Sequence, residues 1–117
     1  MHELSIVMNI IGIAEKEAAK CSAAAIEEIE MEIGILSGIE MAAFDFAWEQ
    51  AVKDTLLQNA ERKIVRTEGK AGCLDCDAVF ALQQLYEPCP NCGSHFIDIK
   101  SGKELRVKSL VITETVN

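Results

Sequence analysis

Apolar residues recur at intervals of three and four along residues 4–20 of the chain. Val7, Ile11 and Ala18 fall on one side of this segment, whereas Lys16 falls on the other. Such a periodicity indicates a helix that buries one face against the rest of the protein. We therefore predict that the chain opens with an amphipathic helix over 4–20.

The pattern changes to strict alternation in the second half of residues 26–33. Apolar residues occupy the odd positions and glutamates the even positions: Ile29, Met31, Ile33, Glu28, Glu30 and Glu32. Successive side chains of a strand point to opposite faces. The segment is therefore predicted to be a strand with one buried face and one acidic, solvated face.

A second helix is predicted after the glycines that follow this strand. Ser37 followed by Glu40 is a capping-box pattern, which marks the start of a helix. The apolar stripe of the predicted helix consists of Phe44, Ala47, Trp48 and Ala51.

Two further strands are predicted, at 62–67 and at 104–115. In the second of these, Arg106 and Lys108 alternate with apolar residues. Because opposite charges stabilise neighbouring strands, we expect this basic pair to lie opposite the acidic face of the strand at 26–33.

Four of the five cysteines form two Cys-x-x-Cys pairs. These are Cys73, Cys76, Cys89 and Cys92. A two-residue spacer lets one tight turn present both sulfurs to a single ion, and zinc takes four thiolates tetrahedrally. Two pairs separated by a short segment therefore predict a structural Zn(II) site.

These elements together predict an α/β (α+β) fold. Two helices on a three-stranded sheet would form a discontinuous body from residues 1–68 and 100–117. A zinc ribbon over 69–99 would be inserted between two neighbouring strands of that body. A chain of 117 residues is long enough for one such body with a small insert.

The composition argues against several classes of protein. A net charge of −8 repels nucleic acid. No stretch reaches the roughly 18 apolar residues of a membrane span. The N-terminus lacks the pattern of a secretory signal, so we expect a cytoplasmic protein whose cysteines stay reduced. The chain shows no nucleophile–base constellation and no phosphate-binding loop, and we do not expect an enzyme.

The first three residues, Met1, His2 and Glu3, carry the remaining chemistry. A free α-amine, the backbone nitrogen of His2 and its imidazole can close fused chelate rings around one ion. Nitrogen-rich planar coordination suits Ni(II) or Cu(II) far better than zinc or magnesium. Protons compete for the same nitrogens, so such binding weakens in acid.

Two other side chains offer metal-binding or redox chemistry. Cys21, at the end of the first predicted helix, is expected to be a buried or half-buried spare thiol. His95 follows the second cysteine pair, but four thiolates already complete the coordination of zinc. We expect neither residue to be a ligand.

Five segments of the chain resemble the HypA/HybF family of hydrogenase nickel-insertion proteins. They are MHELS at 1–5, LSG at 36–38, FAWE at 46–49, CPNCGS at 89–94 and GKELRVKS at 102–109. The resemblance runs in order over nearly the whole chain. Its most specific part is the terminal Met-His-Glu combined with the two cysteine pairs.

The resemblance implies a nickel metallochaperone. It implies that His2 is the Ni(II) ligand, with Met1 and Glu3 as backbone or terminal contributors and Glu40 as a weaker candidate. It implies that the four cysteines hold zinc. The implied partners are a HypB-like GTPase, the large subunit of [NiFe]-hydrogenase and, in some members, urease accessory proteins.

The residues alone leave other interpretations open. A zinc-ribbon adaptor that binds protein or nucleic acid would have the same cysteine spacing, although the acidic balance argues against nucleic acid. A thiol–disulfide protein would use the same pairs as redox couples. A monomer and a homodimer are both compatible with a long terminal strand, which can pair with a second copy.

Overall fold

The computed structural model describes residues 2–114 of the chain. Two helices and six strands follow one another in the order α1, β1, α2 and β2 to β6. Their bounds are α1 Glu3–Lys20, β1 Ala23–Ile33, α2 Met41–Ala51, β2 Glu61–Val65, β3 Lys70–Cys73, β4 Val79–Ala81, β5 Ile97–Ser101 and β6 Leu105–Glu114. The strands form two three-stranded sheets, in the orders β2-β1-β6 and β4-β3-β5. This confirms the predicted α+β class: the described residues form two helices, a three-stranded sheet and a second small sheet.

The described chain divides into two compact units. Among the described residues, the first, here called the helical unit, contains 2–31, 39–64 and 106–114, and the second, the cysteine unit, contains 32–38 and 65–105. The cysteine unit includes the predicted insertion at 69–99 together with its flanking residues. That 69–99 is a domain inserted into a body of 1–68 and 100–117 stays a prediction.

The helical unit is built on the apolar stripe of α1. Its buried positions recur at three and four, as predicted, and α1 packs against α2. The buried residues of this stripe are Val7, Ile10, Ile11, Ala14 and Ala18. On α2, Phe44 is fully buried and its ring stacks on that of Trp48, with 6.1 Å between the centroids.

Strand β1 has the alternating faces that its sequence predicts. Ile29, Met31 and Ile33 are fully buried. On the other face, Nζ of Lys63 lies 3.0 Å from a carboxylate oxygen of Glu28. The expectation that a basic residue of the last strand lies opposite this face is confirmed at Lys108, whose Nζ lies 3.8 Å from Glu30.

The acidic face of β1 departs from the prediction at one end. Glu32 is only 8% exposed, whereas the alternation predicts a solvated side chain. Glu28 and Glu30 are half-buried because the basic side chains lie against them. At Glu28 and Glu30 the row therefore consists of ion pairs in a sheet rather than an open carboxylate surface.

Helix α2 begins differently from the capping-box prediction, which is wrong. The residue that caps α2 is Glu40, whose carboxylate accepts hydrogen bonds from the backbone N–H groups of Ala42 and Ala43, at 3.2 and 2.7 Å. Ser37 lies before this point in a turn, where its N–H donates to the carbonyl of Gly34. Glu40 thus takes the position that the pattern assigned to Ser37.

The cysteine unit has its own small core beneath the β4-β3-β5 sheet. Leu36, Ala71 and Leu82 are buried together, with half-buried apolar side chains packed around them. The backbone of Gly34 runs against that of Gly102, and a Cβ placed on Gly34 would lie 1.9 Å from the carbonyl oxygen of Gly102. A side chain at position 34 is therefore excluded without a backbone shift.

The described helices include none that combines the length and the apolar content needed to cross a membrane.

Candidate metal centres

The four paired cysteines converge on one point at the end of the β4-β3-β5 sheet. Their sulfurs all lie within 4.8 Å of one another. The Sγ atoms of Cys73 and Cys92 are 3.6 Å apart, as are those of Cys76 and Cys89. Four sulfurs at about 2.3 Å from a tetrahedral zinc ion are about 3.8 Å apart. The cluster therefore has the size of a four-thiolate zinc site.

Each cysteine pair lies in a turn with the same backbone hydrogen bonds. The Cys73 carbonyl accepts from the N–H of Asp77 at 3.0 Å, and the Cys73 N–H donates to the carbonyl of Ala78 at 2.8 Å. The Cys89 carbonyl accepts from the N–H of Gly93, and the Cys89 N–H donates to the carbonyl of Ser94, both at 2.8 Å. Two equivalent turns thus present two sulfurs each to a common centre.

Asn91, between the ligands of the second pair, donates to two of the sulfurs. Its side-chain nitrogen lies 3.4 Å from Sγ of Cys76, and its backbone nitrogen lies 3.4 Å from Sγ of Cys89. The Asn91 side chain, and after it the backbone at Ala78, lowers the pKa of Cys76 to about 6. These donors stabilise a thiolate rather than a thiol.

The opposite shift occurs at Cys92. A backbone hydrogen bond at Ser94 lowers its pKa, but the contact with Cys73, burial and the other two thiols together raise it to about 12. Thiolates this close repel one another, so four of them require a cation between them. Soft sulfur donors in a closed tetrahedral set, with an outer amide donor, fit Zn(II). The four cysteines would hold it with no open position for a substrate.

The N-terminal candidate, His2, lies at the start of α1. It is exposed, its backbone is not helical, and its side chain makes no capping hydrogen bond with the described residues of the first turn. Its carbonyl accepts the first hydrogen bond of the helix, from the N–H of Ile6 at 3.1 Å. The imidazole therefore projects from a backbone position that the helix fixes. Met1, one of the two predicted contributors besides His2, lies outside the described residues.

Glu3 and Glu40 join the starts of the two helices. The Glu3 carboxylate is 7% exposed and accepts a hydrogen bond from the backbone N–H of Glu40 at 3.2 Å. Glu40 itself is exposed and its carboxylate caps α2. Glu40 was the weaker candidate for the nickel site, and the structure places it beside the N-terminal segment.

The two remaining sequence candidates, His95 and Cys21, are not members of the four-cysteine cluster. In the described chain, His95 is exposed and is not a member of the four-cysteine cluster. Cys21 caps the end of α1 and is exposed, so the expectation of a buried or half-buried thiol is wrong. The buried stripe of α1 ends at Ala18, and Cys21 lies in the turn that follows it.

Sequence reasoning missed three features of these sites, although Glu3 itself was a predicted contributor. The burial of Glu3 depends on a contact with a residue 37 positions away, which no local pattern shows. Asn91 had a detectable signal, because a donor between two cysteine ligands can reach the sulfurs of both pairs. The hydrogen bond of Asp75 with the Ser94 hydroxyl, which links the two turns, also had no evident signal.

Comparison with known proteins extends over almost the whole chain. A family profile described as "Hydrogenase/urease nickel incorporation, metallochaperone, hypA" matches residues 1–112. The hydrogenase maturation factor HypA of Parabacteroides distasonis is 46% identical over 114 residues, which cover 96% of this chain and 97% of that protein. The corresponding factor of Francisella philomiragia is 40% identical over 111 residues, or 95% and 98%.

Solved structures agree with this assignment. The solution structure of the Ni metallochaperone HypA from Helicobacter pylori matches with a TM-score of 0.69 at 32% identity, over 98% of this chain and 100% of that one. A second solution structure, of a HypA protein, matches with a TM-score of 0.66 at the same identity. The profile, the full-length relatives and the shared fold together show that this chain belongs to the HypA family of nickel-incorporation metallochaperones.

Proposed function

We propose that this protein binds Ni(II) at its N-terminus through His2 and helps to deliver it to the large subunit of [NiFe]-hydrogenase. Family membership supports nickel as the cargo and hydrogenase maturation as the process. The observation that carries the residue assignment is the exposed imidazole of His2 at the fixed start of α1.

The N-terminal segment offers several nitrogen donors within three residues. The first N–H groups of an α-helix have no partner within the helix, so the nitrogens near His2 are not committed to the helical ladder. Together with the imidazole and the amine of Met1, they supply the planar nitrogen set that Ni(II) favours. An exposed set of this kind binds the ion and also leaves it accessible to the ligands of a recipient protein.

Glu3 and Glu40 have a supporting role in this proposal. The Glu3 carboxylate anchors the start of α1 to the backbone of Glu40. This contact fixes the position of the preceding residue, His2. The backbone of Glu3 contributes to the nickel site, while its buried carboxylate holds the segment in place. Two carboxylates near the terminus also favour the approach of a cation.

The four cysteines have a separate role. They hold Zn(II) in a closed site that stabilises the cysteine unit, because a small sheet with three buried core residues has little apolar surface of its own. One site thus retains its metal and the other passes its metal on.

A HypB-like GTPase and, where present, urease accessory proteins are the further proposed partners, in the reducing cytoplasm.

The test is a nickel titration of tag-free protein that begins at the native Met1. Isothermal calorimetry and the visible absorption of Ni(II) would be followed for the wild type, His2→Ala and His95→Ala. The chain has only two histidines, so His95→Ala is a matched control. We expect one nickel per chain in the wild type and in His95→Ala, and loss of that binding in His2→Ala.

Zinc content and circular dichroism would be measured on the same samples. The proposal requires one zinc and an unchanged spectrum in all three proteins. Equal nickel binding by His2→Ala and wild type would contradict the N-terminal site. Loss of zinc in His2→Ala would contradict the separation of the two roles.

A further inference from the structure

The four cysteines of the metal cluster differ in how far solvent reaches them. Cys73 and Cys89 are buried, at 3% and 2% exposed, and Cys76 is half-buried. Cys92 is exposed. Oxidation of cysteine thiolates follows their exposure as well as their charge. A reagent that arrives from solvent therefore meets Cys92 before the other three.

The chain around the second turn covers two of the sulfurs and leaves Cys92 open. Asn91 donates to Sγ of Cys76 through its side chain and to Sγ of Cys89 through its backbone, each at 3.4 Å. A hydrogen bond to a thiolate disperses its charge and makes the sulfur a weaker nucleophile. Gly93, which follows Cys92, has no side chain, and a Cβ built there would meet no atom of the described chain within 4 Å. The space beside Cys92 is therefore open to a small molecule.

A second thiolate lies within reach of Cys92. The Sγ atoms of Cys73 and Cys92 are 3.6 Å apart. A disulfide bond is about 2.05 Å long, so these two sulfurs need to approach each other by only about 1.5 Å. They belong to different turns, so a bond between them would join the two turns. A bond between Cys89 and Cys92, in contrast, would lie within one turn.

The charge around the cluster favours an uncharged oxidant. Asp75 and Asp77 lie in the first cysteine turn, and four thiolates around Zn(II) carry a net charge of about −2. From residue 71 to residue 99 the chain contains no lysine or arginine, and the side chain of Lys100 pairs with Asp98, at 2.7 Å. An anionic oxidant such as glutathione disulfide is repelled by this negative charge, whereas hydrogen peroxide is not.

We propose that Cys92 is an oxidation site at which hydrogen peroxide opens the zinc cluster. The Cys92 thiolate attacks one peroxide oxygen, so that a sulfur–oxygen bond forms, the oxygen–oxygen bond breaks and hydroxide leaves. The Cys73 thiolate then attacks the sulfur of this sulfenic acid, so that a disulfide forms and a second hydroxide leaves. The two thiolates together lose two electrons, and the peroxide gains them.

The disulfide between Cys73 and Cys92 removes two of the four zinc ligands. The remaining pair, Cys76 and Cys89, does not complete a tetrahedral site, so zinc is released. The inference rests on the proposed role of the four cysteines as zinc ligands, and it adds a regulation to that site. His2 belongs to the helical unit, so the oxidation alters the cysteine unit and leaves the nickel ligand unmodified.

The experiment follows zinc release from the full-length, zinc-loaded and reduced chain after addition of hydrogen peroxide, with a chromogenic chelator. Dimedone traps the sulfenic acid, N-ethylmaleimide in denaturant blocks the free thiols at intervals, and mass spectrometry identifies the products. Asp-N protease cuts before Asp75 and Asp77, so Cys73 and Cys76 fall on different peptides. We expect Cys92 to be oxidised first and a Cys73–Cys92 disulfide to accumulate as zinc is released.

Three variants separate Cys92 from the other cysteines. Cys92→His keeps a zinc-binding side chain and removes the exposed sulfur, so zinc release should slow by about tenfold or more. Cys89→His is the matched control at the buried ligand of the same turn, and its zinc release should stay within about twofold of the wild type. Cys21→Ser removes the exposed thiol outside the cluster and should leave the rate unchanged. The peptide map of the wild type keeps the inference testable if a histidine variant does not bind zinc.

Failure of the inference and failure of the proposed zinc role give different results. Reduced protein that carries no zinc before the addition of peroxide would overturn the zinc role, and the inference with it. Zinc-loaded protein that is oxidised first at another cysteine of the cluster, or that forms a disulfide within one turn, would overturn the inference alone. Zinc release at the same rate from the wild type and from Cys92→His would also overturn it.

Discussion

The buried carboxylate of Glu3 accepts a hydrogen bond from the backbone N–H of Glu40, at 3.2 Å, and so joins the first residue of α1 to the cap of α2. A carboxylate in this position satisfies a backbone donor that would otherwise lack a partner at a helix start. Its negative charge also lies near the positive end of the α2 dipole. The contact therefore fixes the position from which His2 projects.

Removal of the Glu3 carboxylate should destabilise the helical unit. We expect Glu3→Ala to lower the free energy of unfolding by about 1–3 kcal/mol, because it leaves the Glu40 N–H unsatisfied in a partly buried site. Glu3→Gln keeps an acceptor oxygen and should lose less. The chain has a single tryptophan, Trp48, whose fluorescence reports urea unfolding of this unit.

Glu17→Ala is the control for this series. Glu17 lies on the same helix and is exposed, where its carboxylate pairs with Lys20. Its removal should change the free energy of unfolding by less than about 0.5 kcal/mol. Equal effects of Glu3→Ala and Glu17→Ala would contradict the anchoring role of Glu3.

Arg62 makes two kinds of contact with α2. Its guanidinium nitrogen lies 2.8 Å from a carboxylate oxygen of Asp45, and its guanidinium carbon lies 5.6 Å from the ring centroid of Trp48 and 5.9 Å from that of Phe44. A planar guanidinium can pair with a carboxylate and stack on aromatic rings, which an ammonium cannot do in the same geometry. Arg62→Lys should therefore lower the free energy of unfolding by about 1 kcal/mol.

Asp45→Asn separates the two contributions of Arg62. It removes the charge of the ion pair and keeps the stacking. Because 46% of the Asp45 side chain is exposed, solvent screens the ion pair and its loss should cost less than Arg62→Lys. If Asp45→Asn were the more destabilising change in urea unfolding, the ion pair rather than the stacking would dominate.

Local patterns predicted the helices and strands whose buried residues recur at a regular interval. The three-and-four spacing from Val7 to Ala18 gives α1 within one residue, because a helix with one buried face must repeat in that way. The alternation of Ile29, Met31 and Ile33 gives β1, although the strand begins earlier, at Ala23. The last strand was predicted at 104–115 and is described from Leu105 to Glu114.

Features that depend on distant residues were not predictable in this way. The capping-box pattern predicted Ser37 as the cap of α2, whereas the carboxylate of Glu40 caps the helix. The position of Glu40 beside Glu3 needs the tertiary fold. The cysteine spacing, by contrast, predicted the cluster fully, because a metal site brings its own ligands together.

Asn91 should tune the affinity of the cysteine cluster for zinc. Its side chain and its backbone nitrogen donate to Cys76 and Cys89. Asn91→Ala removes the side-chain donor and should weaken zinc binding by about tenfold or more, as loss of an outer-shell partner does. Competition with a chromogenic zinc chelator measures this at neutral pH.

The same variant should release zinc at a higher pH. The hydrogen bond from Asn91 lowers the pKa of Cys76, so its loss raises that pKa. Protons then compete with zinc for the Cys76 sulfur at a higher pH than in the wild type. Asn59→Ala, an exposed asparagine of the helical unit, should leave the release curve unchanged. Coincident curves for Asn91→Ala and wild type would show that the donor does not act on the metal site.

The two cysteine turns have different residues at one equivalent position, an aspartate in the first and a glycine in the second. Asp77 and Gly93 follow the second cysteine of their pairs, and both have positive φ, at 62° and 77°. Each donates its N–H to the carbonyl of the first cysteine of its pair. Glycine adopts this conformation without steric strain, whereas aspartate and asparagine tolerate it better than other residues.

Substitutions at Gly93 should therefore rank by backbone strain alone. A Cβ on Gly93 would meet no atom of the described chain within 4 Å, so a side chain has room. We expect Gly93→Ala to lower the free energy of unfolding of the zinc-loaded cysteine unit by about 1–2 kcal/mol. Gly93→Asn and Gly93→Asp should lose less, since the equivalent turn already uses Asp77. The order of stability is measured by following zinc release with a chromogenic chelator at increasing urea concentrations. A Gly93→Ala variant at least as stable as the Gly93→Asn variant would show that another contact determines the stability of this turn.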